Sequence, residues 1–457
     1  MRIRIRHWNQ WPDKRRNFCR NLFCGLLTML ILHLISYTGI GQDMLNDSYD
    51  FLVKTDFRLS IVPGKDAETV SDAIRIVAFD KESCENSPGQ GFWTPRELLG
   101  RSVIKAIQLG AKVVVVDFAL DKPVPSSYYY TDEGFVEENQ RYLSLLRQAV
   151  NLAEQKGSVI LLPWTKRKPE PKGYTAQYYK LMDTNSHVIR QGSPGIFFNT
   201  SDFKVRHLRF YEKDRDRVLI SLPILAALYQ WHGIEKGHKI LTDTENSLRN
   251  GSEDIITIPS DGSVPGIRLY PQNKSGECLP ARLKFRIAPT ALVKAYAPEE
   301  YNPLFSQRMV WTASYFLKNE KLCKGKTVLI GPTHSEIGDT HITPIGKMPG
   351  VFVVANGLNL FLKGEQIQEH YVFKYCMIAL ILVLTAYSFA RFSLALAALG
   401  LTGIFLILNM SFGIWIFSIS GLFLDFWLII AGIAILENIV GFSEIAGEWW
   451  KNRRRNE

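Results

Sequence analysis

The chain has 457 residues, 46% of them hydrophobic, and a formal net charge of +10 at pH 7. That charge would point to nucleic acid if it formed a basic stripe with interleaved aromatics. Much of it instead flanks apolar stretches, where it sets orientation in a membrane and meets anionic headgroups, so membrane lipid is an expected partner and nucleic acid is not.

Residues 1–20 carry Arg2, Arg4, Arg6, Lys14, Arg15, Arg16 and Arg20 against a lone Asp13. About twenty residues without a formal charge follow, from Leu22 to Ile40, enough to cross a bilayer core as a helix. Residues 21–40 therefore read as a first membrane span with the basic N-terminus in the cytoplasm. A cleavable signal peptide shares the basic start, but the apolar core is long and no Ala-x-Ala site follows it. Residues 41–370 are then extracytoplasmic, and that length suits one large domain with insertions.

Leu45, Tyr49 and Leu52 share one helix face, and Pro63-Gly64-Lys65-Asp66 reads as a turn. Ile74 to Phe79 is an apolar run of strand length ending at Asp80, and Val113 to Val116 is another ending at Asp117. Between them, Thr94-Pro95-Arg96-Glu97 opens a helix with a hydroxyl cap and proline at its first position, and Gly110 closes it. A long helical pattern over Phe135 to Gln155 leads to Val159-Ile160-Leu161-Leu162, and Phe285-Arg286-Ile287 and Thr327 to Ile330 complete about five strands. Strands apolar nearly throughout imply a mostly parallel sheet covered on both faces by helices, an α/β fold. Phe203 to Phe210 is expected to form an inserted β-hairpin with Arg217 to Ile220 across Asp214-Arg215-Asp216, followed by a helix over Leu222 to Trp231. Trp164 to Pro194 and Gly237 to Ala281, rich in Pro, Gly, Lys and Asn, read as long surface loops.

Residues 371–440 turn apolar again and divide into three spans, roughly Val372 to Ala390, Ser393 to Phe417 and Leu422 to Val440. With the first span this makes four transmembrane α-helices and leaves both termini inside. Residues 441–457 form a short basic cytoplasmic tail, too short for a domain, behind the headgroup-layer residues Trp449 and Trp450. Asn409 is placed to hydrogen-bond between helices. Asp425 and Glu437, near the ends of the last span, either reach interfacial water or contact another helix or partner.

Six cysteines leave Cys84, Cys278 and Cys323 in the exported segment, so at most one disulfide forms there, with Cys278 to Cys323 one option. The chain has no Cys-x-x-Cys pair, His-Glu-x-x-His helix, Gly-x-Ser-x-Gly elbow or phosphate loop. No enzyme activity, cofactor or metal is expected.

Ligands of open parallel sheets bind beyond the carboxyl ends of the strands. Asp80, Asp117, Thr333 and His334 follow such ends, and Asp339, Thr340 and His341 lie in the next loop. These seven residues are the candidate ligand-binding set. The competing reading is that Asp80 and Asp117 accept backbone N–H bonds as helix and loop caps.

The run Gly325-Lys326-Thr327-Val328-Leu329-Ile330-Gly331, then Asp339, Thr343-Pro344, Pro349-Gly350-Val351 and Ala355-Asn356, resembles the closing motif of CHASE2 domains, the extracytoplasmic sensory modules of bacterial transmembrane receptors. The helix bearing Tyr49-Asp50 and the Ser221-Leu222 and Leu225-Ala226-Ala227 run resemble the family too, so the likeness spans about Leu45 to Leu362. Many members carry an acidic residue after Pro-Gly-Val and a histidine before Ala-Asn, where this chain has Phe352 and Val354. Family members usually precede a cytoplasmic kinase or cyclase, whereas this chain ends at Glu457. The resemblance therefore implies a stand-alone sensor or regulatory subunit of the bacterial plasma membrane. It would bind an unknown extracytoplasmic ligand and signal to a separate membrane or cytoplasmic protein, with homo-oligomerisation left open. A scaffolding subunit without a ligand is the alternative. A metal-dependent hydrolase using Asp117, Asp339 and His341 is the weakest reading.

Overall fold

The structure is a computed structural model of the chain. It describes residues 13–60, 69–85, 94–120, 132–165, 171–198, 201–214, 217–250, 254–270, 281–296, 309–319, 323–334 and 339–367, with short pieces at 379–380, 383–390, 413–418, 435–442, 445–447, 449 and 453. The chain divides into two units, residues 1–56 with 367–457, and residues 57–366.

The first unit opens with α1 (Asp13–Ser36) and most of α2 (Gly39–Ser60). Within α1, Asn17–Ser36 is long and apolar enough to cross a membrane, and among the described residues it is the one helix that is. It stops short of Ile40 because the Thr38 hydroxyl accepts a bond from the Gly41 N–H at 3.2 Å and starts a new helix. Tyr49 on α2 lies edge-on to Phe417, with centroids 6.3 Å apart. Most of residues 371–440, with Asn409 and Asp425, falls outside the described residues, and Glu437 sits half-buried on the helical piece 435–442.

The second unit runs β1 (Ile74–Phe79), α3 (Lys81–Glu85), α4 (Arg96–Gln108), β2 (Val113–Val116), α5 (Asp132–Lys156), β3 (Val159–Pro163), α6 (Gly173–Thr184), β4 (Ile189–Gly192), β5 (Ile196–Phe198), β6 (Val205–Leu208), β7 (Tyr211–Asp214) and β8 (Arg217–Ile220). It continues with α7 (Leu222–Arg249), β9 (Ile256–Ile258), β10 (Ile267–Leu269), β11 (Ala281–Arg282), α8 (Thr290–Tyr296), β12 (Val310–Thr312), α9 (Ala313–Lys318), β13 (Thr327–Pro332), β14 (Thr340–Thr343), β15 (Gly346–Pro349) and α10 (Gly350–Leu362).

Six strands form one parallel sheet in the order β12-β1-β13-β2-β3-β4. All four valines of β2 are buried, as a strand covered on both faces requires. On one face Val77, Val114, Val116, Ile160 and Ile330 share a core with Leu99, Val103, Tyr142, Leu146 and Phe316 from α4, α5 and α9. On the other, α7 and α10 pack against each other, with α10 on β13 and α7 on β2 and β3.

The sheet has one strand more than expected, and its membership differs. β4 lies inside the stretch read as a surface loop, together with α6, whose Tyr178, Tyr179 and Met182 are buried. β12 is a further three-residue strand. Phe285-Arg286-Ile287 is buried but joins no strand. The hairpin also differs from the expectation. β8 pairs with β7, Tyr211 opposite Ile220 and Asp214 opposite Arg217, while β6 pairs with β5 and β11. The reason is local: the Arg209 N–H donates to the Gly195 carbonyl at 2.7 Å, which commits the chain before Phe210 to β5. The helix expected to end at Trp231 breaks at Gly233, where φ is 71° and ψ −167°, and then resumes to Arg249. The other expected loop holds the antiparallel pair β9 and β10.

Candidate functional site

The register of β13 against β2 sets Ile330 beside Val116, so Gly331 and Asp117 leave the sheet together at its carboxyl end. The Asp117 N–H donates to the Ile330 carbonyl at 2.8 Å. A methyl at Gly331 would meet Val351 Cβ at 2.7 Å and Asp117 Cβ at 3.3 Å, so the glycine admits both α10 and the aspartate to the strand end.

Asp339 enters the same place from the loop ahead of β14. Its carbonyl accepts the Gly350 N–H at 3.0 Å, and its carboxylate lies where a Gly350 side chain would stand. Gly350 is the first residue of α10, so the carboxylate occupies the positive end of a 13-residue helix. His341 Nε2 is 3.0 Å from Asp339 Oδ1. The Asp117 carboxyl is pushed up to about 8 by burial first and by the negative Asp339 second. Its Oδ2 is enclosed without a hydrogen-bond partner.

The remaining expected residues are placed differently. Asp80 caps α3, its Oδ1 accepting the Ser83 N–H at 3.1 Å. The Thr333 N–H donates to the Phe79 carbonyl at 3.0 Å, prolonging the β1 to β13 ladder, and His334 follows it half-buried. Thr340 is exposed opposite Pro349, in a hairpin of β14 and β15 where a plain loop was expected. The structure thus gathers Asp117, Asp339 and His341 and turns Asp80 to a cap.

Sequence reasoning missed Phe198, whose ring centroid lies 5.3 Å from that of His341 and which is 44% exposed. Its position depends on a three-stranded sheet, β11-β6-β5, that no local pattern announces. The buried Asn356, noticed as part of the motif, does not face the site. Its Oδ1 accepts the Arg286 and Ile287 N–H groups at 2.6 and 2.9 Å. Asn359 likewise accepts the Ser71 N–H at 2.8 Å. Among the described residues no three His, Cys, Asp or Glu side chains converge as a metal site would require. Cys84 is buried, with its thiol pushed up to about 12, and Cys278 lies outside the described residues.

Comparison with known proteins bears on this arrangement. The family model described as CHASE2 domain matches residues 26–390, well over half of the chain. No curated protein and no solved structure matches it. A match over that length, spanning the parallel sheet and the junction of Gly331, Asp339 and Gly350, gives the identification: the chain belongs to the CHASE2 domain family of sensory domains.

Proposed function

We propose that the protein is a stand-alone membrane-anchored sensor or regulatory subunit, with an extracytoplasmic ligand site at Asp117, Asp339 and His341 and signalling through its membrane helices to a separate protein. One observation carries this reading: the Asp339 carboxylate rests on Gly350, the first residue of α10, and the apolar stretch from residue 371 follows that helix in sequence. A ligand that prefers one position of Asp339 thereby acts on the segment leading to the membrane, and it does so only through unequal affinity for two states. In this reading four spans place both termini in the cytoplasm.

The second reading, a scaffolding subunit without a small-molecule ligand, is favoured by Phe352 and Val354, which are buried apolar side chains. A thermal-shift screen of the full-length protein in nanodiscs separates the two. Stabilisation by one compound class, lost in Asp339→Asn, supports the sensor. No response to any class, with stable co-purification of another protein, supports the scaffold. Reporter fusions in the 164–194 segment test the topology, and a cytosolic signal there rejects it.

A further inference from the structure

Resting on the sensor reading, we propose that the Asp117 and Asp339 pair recognises the ammonium group of a small organic cation, whose apolar body lies against Phe198. Among the described residues no Lys or Arg pairs with either carboxyl group, and the His341 imidazole is the nitrogen donor beside Asp339. Among the described residues Asp339 is the charged group that acts on Asp117, and the Asp117 Oδ2 is enclosed without a partner. One Asp339 oxygen is engaged by His341, and the Asp339 side chain is 33% exposed, which leaves the pair open from that side. Among the described residues Asp80 caps α3, Lys204 lies 3.6 Å from Asp202, which also holds Arg206, and Lys347 stands exposed opposite Ile342 on the hairpin.

Three occupants would satisfy two neighbouring carboxyl groups: a proton, a metal ion or an ammonium group. Ca²⁺ or Mg²⁺ takes six or more oxygens and Zn²⁺ about four N, O or S ligands, and no three metal-ligating side chains converge among the described residues. An ammonium group carries three N–H donors on one charged centre and is satisfied by carboxylate oxygens alone.

The rim shows what the rest of the ligand is. Phe198 is 44% exposed beside His341, while Ile342, the next residue of β14, is 43% exposed on the opposite face of the hairpin. A parallel bridge between Lys204 and Ile342 brings in the turn bearing Phe203, which is 68% exposed and held at a φ of 56°. An exposed aromatic ring on the far side of His341 from Asp339 suits an ammonium carried on an apolar body, through cation–π attraction and burial of the body. A bare inorganic cation has no use for it.

The proton is the competitor. Asp117 is neutral below about pH 8, so a bound cation displaces its proton and affinity rises with pH through that value.

The test uses the full-length protein in nanodiscs and benzylammonium as the probe, with benzyl alcohol, Mg²⁺ and Ca²⁺ as comparators. Titration calorimetry is run at pH 6.5 and 8.5 in two buffers of different ionisation enthalpy. Expected are saturable benzylammonium binding, tighter at pH 8.5, proton release at pH 6.5, and no binding of benzyl alcohol. Asp339→Asn and Asp117→Asn each weaken binding roughly tenfold or more, as loss of a charged hydrogen-bond partner does. Phe198→Ala, at an exposed position that leaves the fold intact, weakens it several-fold and serves where an aspartate variant fails to fold. Equal binding of benzyl alcohol, binding indifferent to Phe198→Ala and to the aspartate variants that fold, preference for Mg²⁺ or Ca²⁺, or no benzylammonium binding overturns the proposal. If another compound class stabilises the protein in an Asp339-dependent manner, only the ligand class falls. If no class binds, the sensor reading falls with it.

Discussion

Asn356 holds both backbone polar groups of Ile287: its Oδ1 accepts the Ile287 N–H at 2.9 Å and its Nδ2 donates to the Ile287 carbonyl at 2.7 Å. A side-chain amide does here what a neighbouring strand would otherwise do, which lets Phe285-Arg286-Ile287 be buried yet outside the sheet. The same Nδ2 reaches the Phe352 carbonyl of its own helix at 2.7 Å. Asn356→Ala strands several buried backbone groups, each costing about 1–3 kcal/mol. The expected outcome is a loss of roughly 3 kcal/mol or more, read by urea denaturation, with Asn356→Asp at least as damaging because a carboxylate cannot donate.

Asp117 gives the fold a pH dependence of defined sign. Its folded value is raised to about 8 from 3.8, so between those values the native state holds a proton that the unfolded chain has released. This contribution favours the fold at acidic pH and is lost as pH rises through about 8. Asp117→Asn removes it. The variant's thermal midpoint should match the parent near pH 4 and exceed it at pH 8.5. A variant less stable than the parent at pH 8.5 contradicts the assignment.

Gly350→Ala places a methyl in the space of the Asp339 carboxylate. Helix propensity alone would make this substitution neutral or stabilising at the start of α10. Steric displacement should dominate, with a loss of about 1–3 kcal/mol in thermal unfolding and the loss of any ligand response that depends on Asp339.

Arg96 is 4% exposed at the start of α4, and its charge lies among the Tyr142 and Tyr174 rings, the Leu120 carbonyl and the Glu138 carboxylate. Its Nη1 donates to the Leu120 carbonyl at 3.3 Å and to Tyr174 Oη at 3.1 Å, and the guanidinium lies 5.5 Å from the centroids of both Tyr142 and Tyr174. Arg96→Lys keeps the charge but loses the planar fork that stacks and donates at once. A loss of about 1–3 kcal/mol in denaturant unfolding is expected.

The legible parts of the fold were those whose signal is local. β1, β2, β3 and β13 announce themselves as continuous apolar runs because both faces are covered. β4 does not, since Ile189-Arg190-Gln191-Gly192 buries only its ends and mixes charge into a sheet edge. At the site, Asp117 and Asp339 were legible as acids at and just beyond strand ends, and Gly331 and Gly350 as parts of a motif. Two things were not: the contact of Phe198 with His341 and the grip of Asn356 on Ile287. Both join residues far apart in sequence, through a small sheet and a helix face that appear only once the chain is folded.

The sheet ends on one side at β12, three residues long, and on the other at β4, which is already engaged through the bridge from Ser193 to Ser221. Three residues present too few open amides to template another chain. Among the described residues, then, neither end of this sheet offers a long open strand to a second copy.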